Sequence, residues 1–279
     1  LFCFWLRGYF FIIQELHLQR FALILAISLQ PSIGKKSMPG IGSINLKVVI
    51  LDTDYYAMQS INGYLAWDRR TRVTYMTTDL DSFWNYMRES ELNELPDVVV
   101  MGADHLGDLD HIEQVIADVK RFVPTALIVC LSQTNSPKLV ETVAEVGADA
   151  FLLKHEVGMQ IAWAIIFTIK HDFVVTLSVA KMLKDSRVKR VYEAEILPEQ
   201  RDYPEMTDRI RQAIRLCVIE GMPAHLAADE MGISLHTIRG YIKEGYRILE
   251  SYDQLEYPTD MTPQERAFMR FTALSNEKN

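Results

Sequence analysis

A cluster of side chains that can donate hydrogen bonds lies near the C-terminal end of this sequence. Within LHTIRGYIKEGYRIL, donor residues recur three or four positions apart, which places them on one face of a helix. In a major groove such a face can contact guanine edges and phosphates, and a glycine lets the backbone approach closely. The predicted contact residues are His236, Thr237, Arg239, Gly240, Lys243 and Arg247.

Two helices joined by a tight turn must hold this face outward. Gly232 supplies a positive φ that ends the first helix, and Ser234 is placed to cap the second. On the opposite side of the second helix, the residues expected in the core are Ile238, Ile242, Ile248 and Leu249. This spacing predicts a helix-turn-helix.

The segment GMPAHLAADEMGISLHTIRGYIKEGYRIL resembles the LuxR/NarL-type DNA-binding domain over nearly its whole length. The preceding MTDRIRQAIRL resembles that domain's opening helix. The resemblance implies that Arg239, Gly240 and Lys243 face the groove. It also implies that Thr237 and Arg247 contact the DNA backbone.

The segment departs from this family at two positions. Ile210 and Leu226 stand where the family usually has glutamates, so we expect apolar packing to replace an internal polar pairing. The alternative to DNA binding is a three-helix module for protein interaction with a basic face in solvent.

The first half of the sequence predicts an α/β fold. From Lys47 onward, short apolar runs alternate with segments of helical period, which is typical of βα units and a parallel sheet. The predicted strands are Lys47–Leu51, Arg72–Thr77, Asp97–Met101, Ala126–Leu131 and Asp149–Leu153. Right-handed crossovers would give a doubly wound, five-stranded sheet with its functional crevice at the carboxyl ends of the strands.

Over roughly residues 46–170 this pattern resembles the flavodoxin-like receiver domain of two-component response regulators. In that family, carboxylates after strand one hold Mg²⁺, and an aspartate after strand three accepts a phosphoryl group. A hydroxyl and a lysine after strands four and five contact the phosphoryl oxygens. Ser132 and Lys154 match these two positions, and Phe151 matches the family's aromatic switch. Lys154 has a second possible role, which is to pair with Asp52.

The metal and acceptor positions depart from the receiver pattern. Asp52 is kept, but Thr53 replaces the adjacent carboxylate and Asp54 lies one position further, which weakens Mg²⁺ binding. Gly102 stands where the phosphoryl-accepting aspartate is expected. Asp104 is two residues too far along for in-line attack, and we expect it to be a solvated loop carboxylate.

Without an acceptor, another input must regulate this receiver-like domain. The candidates are a partner protein, a small molecule at the crevice, oligomerisation alone, or no input at all. We therefore expect an atypical response regulator that binds promoter DNA as a homodimer. Two alternatives stay open: a protein-interaction adaptor, and a receiver that is phosphorylated on Asp104.

Composition limits the function classes. The chain has 279 residues, 49% of them hydrophobic, and a net charge of −8, which argues against indiscriminate binding of polyanions. Residues 46–170 carry 10 basic and 18 acidic side chains, against 12 and 13 in 171–250, so the acidity lies in the first half. Cys3, Cys130 and Cys217 form no metal or disulfide pattern, which favours a reducing cytoplasm. Catalytic and cofactor motifs are missing, so we expect no enzyme and no cofactor.

The predicted organisation has five parts. Residues 1–45 are predicted to be an extension, and charges break its apolar run. The sequence favours a true start at Met38 over a membrane anchor in this extension. The receiver-like domain is followed by a helical connector over 171–204, the helix-turn-helix domain over 205–252 and a tail over 253–279. A capping box at Thr262–Glu265 predicts an ordinary helix in the tail. The apolar stretch 161–169 is expected in the core or at a dimer contact.

Overall fold

The computed structural model describes residues 44–252 and 257–275, with only the backbone described at His105. The expected extension 1–45, with its start at Met38, lies almost wholly outside the described residues. Contacts divide the described chain into two compact units. The sheet unit comprises Asn45–Ala66 and Thr71–Leu197. The helical unit comprises Ile44, Trp67–Arg70 and the described residues from Pro198 onward.

The sheet unit is built on one parallel sheet. Its described strands are β1 (Leu46–Leu51), β2 (Thr71–Thr77), β3 (Val98–Gly102), β4 (Leu127–Ser132), β5 (Ala150–Leu153), β6 (Val174–Val175) and β7 (Glu195–Ile196). They lie in the order β2-β1-β3-β4-β5-β6-β7, and every pair is parallel. Strands β3, β4 and β5 are wholly buried, because a parallel sheet is covered by helices on both faces.

Helices connect the strands. They are α1 (Tyr55–Ala66), α2 (Leu80–Glu89), α3 (Leu109–Phe122), α4 (Pro137–Glu145), α5 (Lys154–Val157), α6 (Ile161–Thr168), α7 (Leu177–Met182) and α8 (Lys189–Tyr192). Short 3₁₀ turns lie at Ala103–His105 and Gly158–Gln160. Asp79 and Asp108 cap α2 and α3 by accepting backbone N–H groups. Most of α6 is buried, so the apolar stretch 161–169 is largely core.

The α/β class and the parallel sheet are confirmed, but the predicted strand number is wrong. The described chain has seven strands in place of five, and the two additional strands fall in the segment predicted to be a helical connector. The backbone N–H of Val174 bonds to Asp149 O, and that of Glu195 bonds to Phe173 O. Strands of two residues are too short for any periodicity to reveal them. The sheet unit consequently runs to Leu197, beyond the predicted end at residue 170.

The helical unit contains α9 (Asp208–Ile214), α10 (Ala224–Met231), α11 (Leu235–Ser251) and α12 (Pro263–Phe271) among its described residues. Helix α9 continues as a π-helical turn over Arg215–Ile219. The capping box at Thr262 and Glu265 is present, so the helix predicted in the tail is confirmed. Helix α12 packs against α11 and the π-helical turn, and it therefore belongs to the same compact unit.

Within residues 44–252 and 257–275, every helix is too short or too polar to cross a membrane.

Candidate nucleic-acid interface and receiver-like crevice

The turn between α10 and α11 has the predicted backbone geometry. Gly232 lies in the left-handed region, with φ 64° and ψ 36°, which a glycine adopts without steric cost. The N–H of Ile233 donates to Ala228 O at 3.0 Å and so satisfies a terminal carbonyl of α10. Ser234 Oγ accepts from the N–H of Thr237 at 3.0 Å and caps α11. The helix-turn-helix predicted from Gly232 and Ser234 is therefore present.

Helix α11 crosses α9 very closely. A Cβ atom at Gly245 would lie 2.5 Å from Ile214 Cδ1 and 3.3 Å from Ile210 Cγ2, so any other residue there requires the Ile214 side chain to move. Ile210 is buried, in agreement with apolar packing at that position. Leu226 is 48% exposed, so the expectation of apolar packing is wrong for it. On α10 it faces away from Ala227 and Ala228, which fill the core.

The predicted contact residues share the outer face of α11. His236, Arg239, Gly240, Lys243 and Arg247 are exposed, and Thr237 is half-buried with its hydroxyl 2.8 Å from Ser234 Oγ. Among the predicted core residues, Ile238, Ile248 and Leu249 are buried and Ile242 is half-buried. The structure thus brings the six residues to one side of the helix, and their contact with DNA stays a prediction.

Sequence reasoning missed an ion pair on this face. Arg247 Nη2 lies 2.6 Å from Glu244 Oε1, and Arg247 Nε lies 3.0 Å from Glu244 Oε2. Hydrogen bonding from Arg247 lowers the pKa of the Glu244 carboxyl. The i,i+3 spacing of Glu244 and Arg247 was the signal available in the sequence.

The receiver-like crevice lies at the carboxyl ends of β1 and β3, where the strand order changes direction. Asp52 follows β1 and is buried, and its Oδ2 lies 2.7 Å from Lys154 Nζ. Asp52 Oδ1 accepts from the N–H of Asp54 at 2.9 Å. Lys154 therefore forms an ion pair with Asp52, as the sequence analysis allowed for this lysine.

The space beside Gly102 is filled by Asp52. A Cβ atom at position 102 would lie 2.4 Å from Asp52 Cγ and 2.5 Å from each carboxylate oxygen. The backbone of Gly102, with φ −74° and ψ 110°, is one that any residue adopts. Glycine is thus required here by the neighbouring carboxylate and not by backbone conformation.

Asp54 has a structural task at the start of α1. Its Oδ1 accepts from the N–H groups of Tyr56 and Ala57 at 3.0 and 3.1 Å, as a helix-capping carboxylate does. The Gln133 amide reaches its Oδ2 at 3.3 Å. With Asp52 paired to Lys154, the residues at this end of the sheet do not fit Mg²⁺. No group of three or more potential metal-ligating side chains is found among residues 44–252 and 257–275.

Asp104, expected to be a solvated loop carboxylate, is half-buried after β3 and accepts hydrogen bonds from the loop after β4. Ser132 Oγ lies 2.5 Å from its Oδ1, and the N–H of Gln133 donates to its Oδ2 at 2.6 Å. Thr134 Oγ1 adds a contact of 3.0 Å to Oδ1. Burial raises the pKa of the Asp104 carboxyl, but these hydrogen bonds outweigh burial and hold the pKa below its usual value. Asp104 therefore ties the turn after β3 to the loop after β4.

The remaining predicted residues of the crevice lie in the core. The Ser132 side chain is fully buried at the end of β4. Phe151 on β5 is also fully buried and belongs to the main hydrophobic cluster of the sheet unit. In this position its ring is packed inside and presents no surface to a partner.

Comparisons with known proteins found similar solved structures. No family model and no curated protein matches the chain. A structure of the Salmonella typhimurium RcsB response regulator is 18% identical, with a TM-score of 0.43, and the match covers 77% of this chain and 94% of that chain. A complex of the two-component response regulator RcsB with DNA is 17% identical, with a TM-score of 0.43, and the match covers 81% and 98% of the two chains.

Proposed function

We propose that this protein is a DNA-binding transcription regulator whose receiver-like unit works without phosphorylation at β3. DNA binding is supported by the helix-turn-helix of α10 and α11, whose outward face carries donor side chains. A helix about 10–12 Å wide with such a face fits a major groove about 12 Å wide. The resemblance of this segment to LuxR/NarL-type domains supports the same reading.

The first half of α11 is the segment best suited to read bases. Arg239 and Lys243 are exposed and four residues apart, so both can point into one groove. Gly240 lies between them on the same face, and apart from its chain neighbours and the backbone of its own helix no atom comes within 4 Å of an added Cβ. Close approach of the helix backbone to a base pair is therefore possible at Gly240.

The receiver-like unit has lost the chemistry of phosphoryl acceptance. Gly102 has no nucleophile, and Asp52 fills the space that an acceptor side chain would need. The carboxylate of Asp104 lies two residues beyond the acceptor position, and hydrogen bonds from the loop after β4 hold it there, so it is displaced from the place of in-line attack on phosphorus. Regulation then falls to a partner protein, a small molecule or oligomerisation, and promoter DNA would be bound by a homodimer.

Selection of bound fragments from random DNA tests the DNA-binding part. We expect enriched fragments with two half-sites about one helical turn apart, as a dimer requires. Arg239→Ala should weaken binding to the selected sequence by about 1–3 kcal/mol, because a good bidentate base contact contributes that much. Lys138→Ala is the matched control, since Lys138 is an exposed cation on the sheet unit and should leave binding unchanged.

Two results would contradict this function. Retention on heparin that does not depend on salt would favour a protein-interaction adaptor, because neutralisation of a phosphate backbone is strongly salt-dependent. Incubation with a small-molecule phosphodonor and Mg²⁺, read by intact mass, should give no adduct. An adduct that Asp104→Asn abolishes would show that the receiver-like unit is an active phosphoreceiver.

A further inference from the structure

The two halves of α11 differ in how their charged side chains are engaged. Residues 235–243 contain two cations, Arg239 and Lys243, and no carboxylate. Residues 244–251 contain one cation, Arg247, and two carboxylates, Glu244 and Glu250. A helix with this charge order offers a duplex a cationic first half and an anionic second half.

The charges of the second half are already paired within the helical unit. The guanidinium of Arg247 meets the Glu244 carboxylate through two nitrogens, at 2.6 and 3.0 Å. Glu250 Oε1 lies 3.7 Å from Arg270 Nη1 on α12. Just beyond α11, the Tyr252 hydroxyl donates to the carboxylate of Glu205. Among the residues that the structure describes, the second half of α11 thus makes ion pairs that the first half lacks.

Arg247 lies on the groove side of α11, so its pairing matters for DNA. It is four residues from Lys243, which places both side chains on one face. Phosphate and carboxylate compete for the same fork of guanidinium donors, because both accept bidentate hydrogen bonds. A neutral Arg247–Glu244 pair releases no counterion from DNA and therefore adds nothing to phosphate binding.

We infer that Glu244 confines DNA contact to the first half of α11 by holding Arg247 away from the phosphates. This rests on the proposed function, in which α11 enters the major groove. It also replaces the expectation that Arg247 is a backbone contact. The effect lowers binding to DNA of any sequence, so the base contacts of Arg239 and Lys243 carry a larger share of recognition.

The salt dependence of binding to a random-sequence duplex measures this directly. Each neutralised phosphate adds about 0.9 to the slope of log K against log salt. We expect Arg247→Ala to leave the wild-type slope unchanged and Glu244→Gln to steepen it by about 0.9. Between 50 and 200 mM salt, the fall in affinity would then be about 3–4-fold larger for Glu244→Gln than for wild type.

A double variant separates the two ways in which Glu244 could act. If Glu244 acts through Arg247, then Glu244→Gln combined with Arg247→Ala returns to the wild-type slope. Glu220→Gln is the matched control, because Glu220 pairs with Arg215 at 3.1 Å on another helix of the same unit. This variant also frees an arginine, but one that lies on the π-helical turn and not on α11, so the slope should be unchanged.

The possible outcomes are distinct. A flatter slope for Arg247→Ala would show that Arg247 contacts phosphate in the wild type and would overturn the inference. A steeper slope that persists in the double variant would overturn it too, since Glu244 would then act by its own charge. Wild-type protein that shows no salt-dependent binding would refute the proposed function itself, and the inference with it.

Discussion

Replacement of Gly102 by alanine tests whether Asp52 has taken over the acceptor position. The added methyl group would lie 2.4 Å from Asp52 Cγ. Carbon atoms in contact are normally about 3.5–4.0 Å apart, so the carboxylate must move by about 1 Å. That carboxylate is buried and held by Lys154 at 2.7 Å and by the N–H of Asp54 at 2.9 Å.

The expected free-energy change is the difference of two effects. Overpacking of a filled core site costs about 1–3 kcal/mol. Glycine to alanine at an ordinary backbone conformation gains about 0.4–1 kcal/mol, because the unfolded chain loses freedom. Gly102→Ala should therefore destabilise the sheet unit by about 1.3 kcal/mol at the middle of these two ranges, and by at most about 2.6 kcal/mol.

In a variant that lacks the Asp52–Lys154 pair, Gly102→Ala should have the opposite effect on stability. Asp52→Ala combined with Lys154→Met removes the carboxylate and leaves no unpaired buried charge. In this background Gly102→Ala should stabilise the sheet unit by about 0.4–1 kcal/mol, since only the unfolded-state effect remains. Hydrogen exchange of peptides from β3 and β4, measured by mass spectrometry in increasing urea, reports the opening free energy of this unit alone. Equal destabilisation in both backgrounds would refute the reasoning.

Three further predictions follow from contacts in the two units. Gly245→Ala should lower the stability of the helical unit by about 1–3 kcal/mol, because the new Cβ would lie 2.5 Å from Ile214. Hydrogen exchange of the backbone amides of α9 and α11 measures this change, and Ile214→Ala in the same chain should suppress the loss of stability. Burial raises the pKa of the Cys130 thiol to about 12, so iodoacetamide at pH 8 should label Cys130 only after the protein unfolds. Labelling of the folded protein at the rate of a free thiol would contradict the burial of Cys130. The pKa of Asp104 is lowered in the fold, so its ionised carboxylate stabilises the protein above the usual aspartate pKa, and this stabilisation is lost as pH falls through the lowered pKa. Asp104→Asn should therefore reduce the loss of unfolding free energy at acid pH, measured by urea titration. An unchanged pH profile would be inconsistent with the hydrogen bonds to Ser132 and Thr134.

The sequence predicts most strongly where local signals agree. The helix-turn-helix could be placed from Gly232 and Ser234, because a left-handed turn and an N-cap each depend on one residue type. The sheet from β1 to β5 could be placed because buried parallel strands leave long Val, Ile and Leu runs, as in VVVM before Gly102. These features are set by interactions within a few residues.

Features that depend on distant contacts were not predictable in the same way. Strands β6 and β7 have two residues each, and only their pairing with neighbours defines them. The hydrogen bonds of Asp104 join residues nearly thirty positions apart, so nothing around Asp104 in the sequence marks it as held. The exposure of Leu226 depends on which face of α10 packs against the core. The pattern of apolar residues in a helix of eight residues is too short to predict that face.

The packing of α12 has a practical consequence for anyone who isolates the helical unit. Gln264 of α12 donates to Cys217 O at 3.1 Å, and residues Phe268, Met269 and Phe271 are buried. The helix-turn-helix alone would suggest a fragment that ends after α11. Such a fragment lacks the side chains of α12 that cover α11 and the π-helical turn, so it exposes apolar surface and should be prone to aggregation. Expression fragments for binding or NMR work should therefore extend at least through Leu274, whose backbone pairs with Gln200.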